Sequence, residues 1–152
     1  MDTPDKLVEA FTAAVPFALR EMAGVEAVAT KARPATAADE PADLSAVVPL
    51  VTPGGDGLLI LSLPERTATG LTRRVLAGSV DEVDADMVRD CVGELANVMA
   101  GQAKALLVGS PSHFVLSTPK IWTGGLVAGG GRWVILFESD AGDFAVHLCS
   151  PS

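Results

Sequence analysis

Basic residues are scarce in this chain of 152 residues. Eleven lysines and arginines stand against nineteen aspartates and glutamates, which gives a formal net charge of −8. The basic residues are scattered and form no run, so the sequence lacks the cationic surface that neutralises nucleic-acid phosphates or an anionic membrane. The charges therefore predict that the chain binds neither nucleic acid nor a membrane.

Long apolar runs are also missing. No stretch approaches the roughly 20 residues that span a bilayer. The N-terminal segment MDTPDKLVEAF carries an early acid and no uninterrupted apolar run, so it does not resemble a secretory signal. The content of 49% hydrophobic residues still supports a substantial core. We expect one globular, cytoplasmic domain spanning residues 1–152.

Side chains that bind metals or act as nucleophiles are few. The chain has two cysteines, Cys91 and Cys149, which are expected to be free thiols because no secretory signal is present. His113 and His147 have no other ligand at metal-binding spacing, so both are predicted to be structural and no metal site is expected. The sequence has no G-x-S-x-G elbow, and the glycine-rich segment from Gly124 to Trp133 lacks the G-K-[ST] ending of a phosphate loop.

The clearest pattern is a helix predicted from Asp84 to Leu107. Apolar residues recur on one broad side at helical spacing, which predicts that this side is buried. They are Val88, Cys91, Val92, Leu95, Val98, Met99 and Leu106. The opposite side carries what we call the polar stripe, which consists of Asp90, Glu94, Asn97, Gly101 and Lys104.

The composition of the polar stripe is unusual for a solvated helix face. Asn97 lies in mid-helix, where its amide competes for backbone hydrogen bonds. Gly93 and Gly101 each cost about 1 kcal/mol relative to alanine in a helix interior. Since Gly101 lies beside Asn97, its missing side chain would let another surface approach the amide. Periodicity alone leaves two interpretations open, a solvated face and a contact surface.

Asp90, Glu94 and Asn97 form the pattern D-x-x-x-E-x-x-N, which resembles the signature of the CheC/CheX/FliY phosphatases of bacterial chemotaxis. The run GELANVMAGQAKALL that starts at Gly93 resembles the CheX branch in particular. Pro119 follows in LSTP, at nearly the separation found in that family. The resemblance implies a phosphatase that acts on the aspartyl-phosphate of a CheY-like response-regulator receiver in two-component signalling.

The same resemblance implies roles for the stripe. Asn97 would orient the attacking water and Glu94 would pair with a receiver lysine, which makes these two the catalytic residues. Asp90, Gly101 and Lys104 would contact the partner, although Asp90 is also explained by the helix dipole and Lys104 by simple solvation. No cofactor of its own is expected, since the receiver brings Mg²⁺, and a homodimer is implied.

Two other functions stay open at this point. The chain could be a non-catalytic binding module that keeps the CheX-like fold and docks a two-component or flagellar partner. It could also be a dimeric structural domain whose polar stripe is only solvated surface. The intact Glu94 and Asn97 favour the phosphatase over both alternatives.

The predicted order of elements indicates an α+β fold. It consists of two pseudo-repeated helix-plus-three-strand units that form a sheet packed by helices, as the CheC/CheX resemblance also implies. Asp5, Glu9 and Thr12 repeat the spacing of the signature, with threonine in place of the amide. The predicted helices are Pro4–Met22, Arg66–Leu76 and Asp84–Leu107, and the predicted strands are Val25–Thr30, Ala46–Val51, Leu58–Leu63, Phe114–Thr118, Trp133–Glu138 and Asp143–Leu148.

Overall fold

The computed structural model describes residues 5–53, 55–110, 113–123 and 132–149 of the chain. Within these ranges it is a mixed α+β domain, which confirms the predicted fold class. No helix in the described ranges is long and apolar enough to cross a membrane. The helices are α1 (Asp5–Ala23), α2 (Glu65–Val75) and α3 (Ala85–Leu106), and the strands are β1 (Ala27–Pro34), β2 (Leu44–Thr52), β3 (Gly55–Leu63), β4 (Val115–Leu116), β5 (Lys120–Thr123), β6 (Arg132–Ser139) and β7 (Phe144–Cys149).

The seven strands form one antiparallel sheet in the order β1-β6-β7-β3-β2, with β4 and β5 both paired to the outer side of β2. Alternate residues of the central strands, such as Leu59 and Leu61 in β3 and Val146 in β7, join the helices in one apolar core. The ring of Phe11 in α1 stacks on Phe114 with centroids 6.3 Å apart. The helices therefore cover one face of the sheet.

The strand registers show that the two units repeat each other. Val48 pairs with Leu59 in the first hairpin, and Ile135 pairs with Val146 in the second, 87 positions later in each strand. The pairings of the edge strands, β1 with β6 and β4 and β5 with β2, also repeat. The β1–β6 register shifts between Ala29 and Lys31, and the β2 register shifts by the same single residue between β4 and β5. An approximate twofold axis therefore passes between β3 and β7.

The helices repeat with a slightly different offset. Gly24 follows α1 and Gly109 follows α3, and both take a positive φ, at 63° and 83°. Such glycines are favoured where a helix ends in the left-handed region. The glycines are 85 positions apart, and so are Asp5, Glu9 and Thr12 from the signature residues of α3. The buried residues agree, since Ala10, Phe11, Ala14, Val15 and Ala18 correspond to Leu95, Ala96, Met99, Ala100 and Ala103.

The first strand of the second unit differs from its prediction. A continuous strand from Phe114 to Thr118 was expected, but the strand ends at Leu116 and resumes as β5 at Lys120. Pro119 has no N–H to donate to a sheet ladder, which explains a break there. The prediction missed β5 because its four residues carry no alternating pattern that distinguishes them from a loop.

Smaller departures lie at element ends. Leu106 was predicted to be buried, but the residue is 58% exposed, whereas Leu107, the next residue, is buried in the core. β1 continues to Pro34 into the predicted loop, and the first hairpin extends to Thr52 and Gly55. Residues 124–131 of the glycine-rich segment lie outside the described part of the chain. Both cysteines are free thiols, as predicted.

The sheet face opposite the helices carries a buried polar network. The Nε of Arg132 donates to Nδ1 of His147 at 3.1 Å, and its Nη2 donates to the carbonyl of Asp39. The Asp39 carboxylate accepts from both terminal nitrogens of Arg33, at 2.6 and 2.8 Å. Burial, reinforced by the Arg132 charge, lowers the pKa of His147 to about 4. His147 thus has the structural role predicted, as part of the network that holds the 35–43 loop on the sheet.

Candidate functional site

The polar stripe lies on the side of α3 away from the core. Asp90 and Glu94 are exposed, and Asn97, Gly101 and Lys104 are partly exposed. The helix is fixed at its start by Asp84, whose carboxylate accepts the Met87 N–H at 2.8 Å. This capping bond and the buried apolar side hold the direction in which the stripe faces.

Glu94 and Asn97 lie together in an open groove, which we call the Asn97 groove. One flank consists of Val98, Leu116 and the segment 117–119 between β4 and β5. The other flank adds Arg89, Asp90, Gly93 and Ile121, again beside Asn97 and Pro119. The structure therefore brings Asp90, Glu94, Asn97 and Pro119 into one place. Neither Gly101 nor Lys104 lines either flank as described.

The break between β4 and β5 makes one wall of the groove. Ser117 and Thr118 are exposed and take no part in the described pairing with β2. The segment therefore lines the groove without register partners on β2. The equivalent position in the first unit is Thr30, where the β1–β6 register shifts by one residue but β1 stays continuous. The wall is thus specific to the second unit.

The two glycines of α3 have different surroundings. A Cβ built on Gly93 would meet Cδ1 of Ile121 at 3.5 Å, so Gly93 lies where α3 packs against β5. A Cβ built on Gly101 would meet nothing within 4 Å. Packing within the described chain therefore does not explain Gly101.

The charges of the groove are mixed. Asp90 and Glu94 supply two carboxylates, and Arg89 is the one cation among the described lining residues. The Arg89 guanidinium also pairs with Asp86 one turn earlier on the helix. The sequence prediction missed Arg89, Ser117 and Thr118 as part of the site, because the signature indicates the stripe and Pro119 but not the flanks.

The thiol nearest the site is buried. Cys91 is 8% exposed on the core side of α3. Burial raises the pKa of the Cys91 thiol. A hydrogen bond with the Thr72 side chain opposes this shift, and the nearby Glu94 charge adds to it. The described residues contain no group of three side chains able to hold a metal ion. What the groove offers is a partly exposed amide that can hold a water as both donor and acceptor, flanked by charges of both signs.

A family model described as "Chemotaxis phosphatase CheX" matches residues 44–138. This range contains α3, the whole groove and most of the sheet. A search of curated protein sequences found no match to the chain.

Solved structures share the complete fold. A chemotaxis protein CheX from Desulfovibrio desulfuricans superimposes with a TM-score of 0.80 at 23% identity, covering 94% of this chain and 97% of that one. A putative chemotaxis protein from Desulfovibrio vulgaris Hildenborough gives 0.82 at 26% identity, covering 94% and 95%. A chain of the CheX-CheY-BeF3-Mg+2 complex from Borrelia burgdorferi gives 0.75 at 20%, covering 95% and 97%.

Proposed function

This chain belongs to the chemotaxis phosphatase CheX family, and from that premise we propose that it hydrolyses the aspartyl-phosphate of a CheY-like response-regulator receiver. Asn97 orients the attacking water in this reaction, and Glu94 binds the receiver. The observation that carries the proposal is the position of both side chains, one turn apart and accessible, in a groove opened by the break between β4 and β5.

The chemistry suits an amide. Asn97 is neither an acid nor a base near neutral pH, so it cannot take the proton of water. Its amide can accept from and donate to one water and so hold it at a fixed distance and angle. Phosphoryl transfer passes through a loose transition state, and catalysis is mostly alignment and charge stabilisation. The carboxylate of the partner's aspartate is the leaving group, so a water held in line with phosphorus completes the reaction.

Glu94 supplies a charge for the encounter. It is exposed one turn before Asn97 and lines the same groove. A receiver lysine close to the phosphorylated aspartate would pair with it and set the depth to which α3 enters the receiver. Mg²⁺ is brought by the partner in this proposal, and one similar structure is of a CheX-CheY complex with BeF3 and Mg+2.

The test is the decay of a phosphorylated receiver domain with Mg²⁺ present. Catalytic amounts of the parent protein should accelerate the decay. The Asn97→Ala variant should be about 10² to 10⁴ times slower, as for other lost positioning groups. Gln102→Ala, a change on α3 outside the described groove lining, is the matched control and should match the parent.

Either of two results would overturn the assignment. Decay unchanged by the parent protein across several receivers would favour a module that docks without turnover. A fully active Asn97→Ala variant would leave the phosphatase in place but remove Asn97 as its catalytic residue.

We also propose a homodimer. Trp122, Val115 and Val51 are exposed apolar side chains beside the outer sheet edge, at 47%, 59% and 40%, and a second copy could cover them. Sedimentation or light scattering should give twice the chain mass of 15.6 kDa. Trp122→Lys should shift that mass toward the monomer, and a monomeric parent protein at micromolar concentration would contradict the proposal.

A further inference from the structure

Arg89 occupies a distinctive place on α3 relative to the two catalytic residues. At about 100° per residue, Glu94 lies about 60° to one side of Asn97 around the helix axis, and Arg89 lies about 80° to the other side. Arg89 and Ile121 line only one flank of the groove, whereas Glu94 and Asn97 line both flanks. The Glu94 carboxylate and the Arg89 guanidinium therefore lie on opposite sides of the Asn97 amide around the helix axis.

The described surroundings of Arg89 leave it accessible to a partner. Its side chain is 42% exposed, and its ion-pair partner Asp86 is 84% exposed on the same helix. An exposed pair of this kind contributes little to stability, because solvent screens both charges. Arg89 can therefore exchange Asp86 for another carboxylate at small cost.

The partner's own chemistry supplies such a carboxylate. This step rests on the proposed function. A receiver site that holds Mg²⁺ beside a phosphorylated aspartate is built from further carboxylates, because Mg²⁺ prefers oxygen ligands. The rim of that site is anionic, and an arginine fork binds a carboxylate with two parallel hydrogen bonds.

We propose that Arg89 is a positioning residue that binds a carboxylate on the rim of the receiver's metal site. With Glu94 bound to a cation on the opposite side of the amide, this pair fixes the rotation of α3 about its axis and hence the direction of the Asn97 amide. The phosphoryl group itself is not its target, since Arg89 is about 12 Å from Asn97 along the helix.

Two substitutions with opposite expected effects on the KM for phosphorylated receiver test the role of Arg89. Arg89→Gln should raise the KM for phosphorylated receiver about fivefold and also lower kcat severalfold, because the Asn97 amide is then less well oriented. Asp86→Asn should lower KM about twofold, because it frees Arg89 from its competitor. Arg73→Gln, at an exposed arginine on α2 outside the described groove lining, is the control and should change neither.

A purely structural role predicts a different pattern. Either substitution removes the Arg89–Asp86 pair, so a helix-stabilising role would shift both variants in the same direction. Such a result, or an Arg89→Gln variant with parental KM, would overturn the proposal. Added salt should also weaken receiver binding by the parent more than by Arg89→Gln.

A binding measurement separates this inference from the phosphatase proposal. Affinity is measured for a receiver charged with beryllofluoride and Mg²⁺ and for the same receiver without beryllofluoride. A carboxylate target predicts that Arg89→Gln weakens both complexes by a similar factor, while loss confined to the beryllofluoride form would identify the phosphoryl group as the target and overturn the assignment. Because this readout needs no turnover, it decides the role of Arg89 even if the parent protein proves inactive.

Discussion

The outer faces of α1 and α3 occupy equivalent places in the two units but differ in three respects. Thr12 stands where α3 has Asn97, and its hydroxyl donates to the Val8 carbonyl of its own helix at 2.6 Å. Pro16 stands at the position of Gly101. β1 is continuous where the second unit has the break at 117–119. The acids Asp5 and Glu9 are retained and exposed, so the two units share the charges of the signature and differ in the amide.

This difference shows what the second unit adds to a shared frame. The burial pattern, the helix-ending glycines and the strand registers are common to both units. The candidate site depends on a partly exposed amide, a helix position without a side chain, and a strand interruption that provides a wall. A loss of any one of these should affect function more than stability.

The largest effect is expected from an attempt to move the amide to the first unit. Thr12→Asn in the Asn97→Ala background should leave phosphatase activity about 10² to 10⁴ times below the parent. The transferred amide would meet an unbroken β1 and the Pro16 ring. Recovery of even a tenth of the parental rate in the receiver decay assay would show that the amide alone makes the site. The functional difference between the two units would then rest on that one residue.

The second expected effect concerns the sheet face opposite the helices. Ile60 in the first unit occupies the place of His147 and pairs with it across the axis, so only the second unit carries a titratable group there. The folded pKa of His147 is about 4, below the ordinary 6.5. The unfolded state therefore binds more protons between these values, and the free energy of unfolding should fall by up to about 3 kcal/mol as pH drops from 6.5 to 4.

Denaturant unfolding at a series of pH values measures this dependence. Above about pH 7.5 the contribution of His147 should be complete and flat. His147→Asn retains an acceptor near the Arg132 Nε and should remove most of the slope between pH 6.5 and 4. A variant with the same slope as the parent would show that other groups cause the dependence.

A smaller effect should separate the retained acids. Glu94→Gln should weaken binding of a beryllofluoride-charged receiver about five- to tenfold, because it removes a charge from a partly desolvated contact. Glu9→Gln makes the same chemical change at the equivalent position of α1 and should leave affinity unchanged. Equal losses from both variants would indicate a second receiver surface on α1 and would weaken the distinction between the units.

The smallest effect concerns the two glycines of α3. Gly93→Ala and Gly101→Ala should each raise the free energy of unfolding by about 1 kcal/mol, since alanine favours the helix and neither Cβ meets a neighbour closer than 3.5 Å. Gly101→Ala should weaken receiver binding, because its methyl group points to open space on the polar stripe beside Asn97. If receiver affinity is unchanged in Gly101→Ala, the partner does not approach there.

Sequence patterns predicted the parts of the fold that depend on periodic burial. The α3 helix was found within a residue at each end because Val88, Val92, Leu95 and Met99 repeat at helical spacing. The hairpins were found because apolar runs flank turn residues. The register shift that relates β1 to β4 and β5 depends on long-range pairing, and no local pattern in 114–123 reveals it.

The candidate site was predictable only in part. The signature identified Asp90, Glu94 and Asn97, and LSTP identified Pro119. Arg89 was not found, because an arginine beside an acid on a helix surface is a common pattern with no functional meaning. Its place on the flank of the groove follows from the tertiary packing of α3 against β5.

The break between β4 and β5 also interrupts one of the two exposed edges of the sheet. A long, regular edge strand is a template on which another chain can add and propagate aggregation. On this side the edge consists of strands of two and four residues separated by the segment 117–119. On the other side, the last four residues of β1 include Lys31, Arg33 and Pro34. A sequence that restored an unbroken strand from 115 to 123 would close the groove and at the same time create an edge prone to self-association.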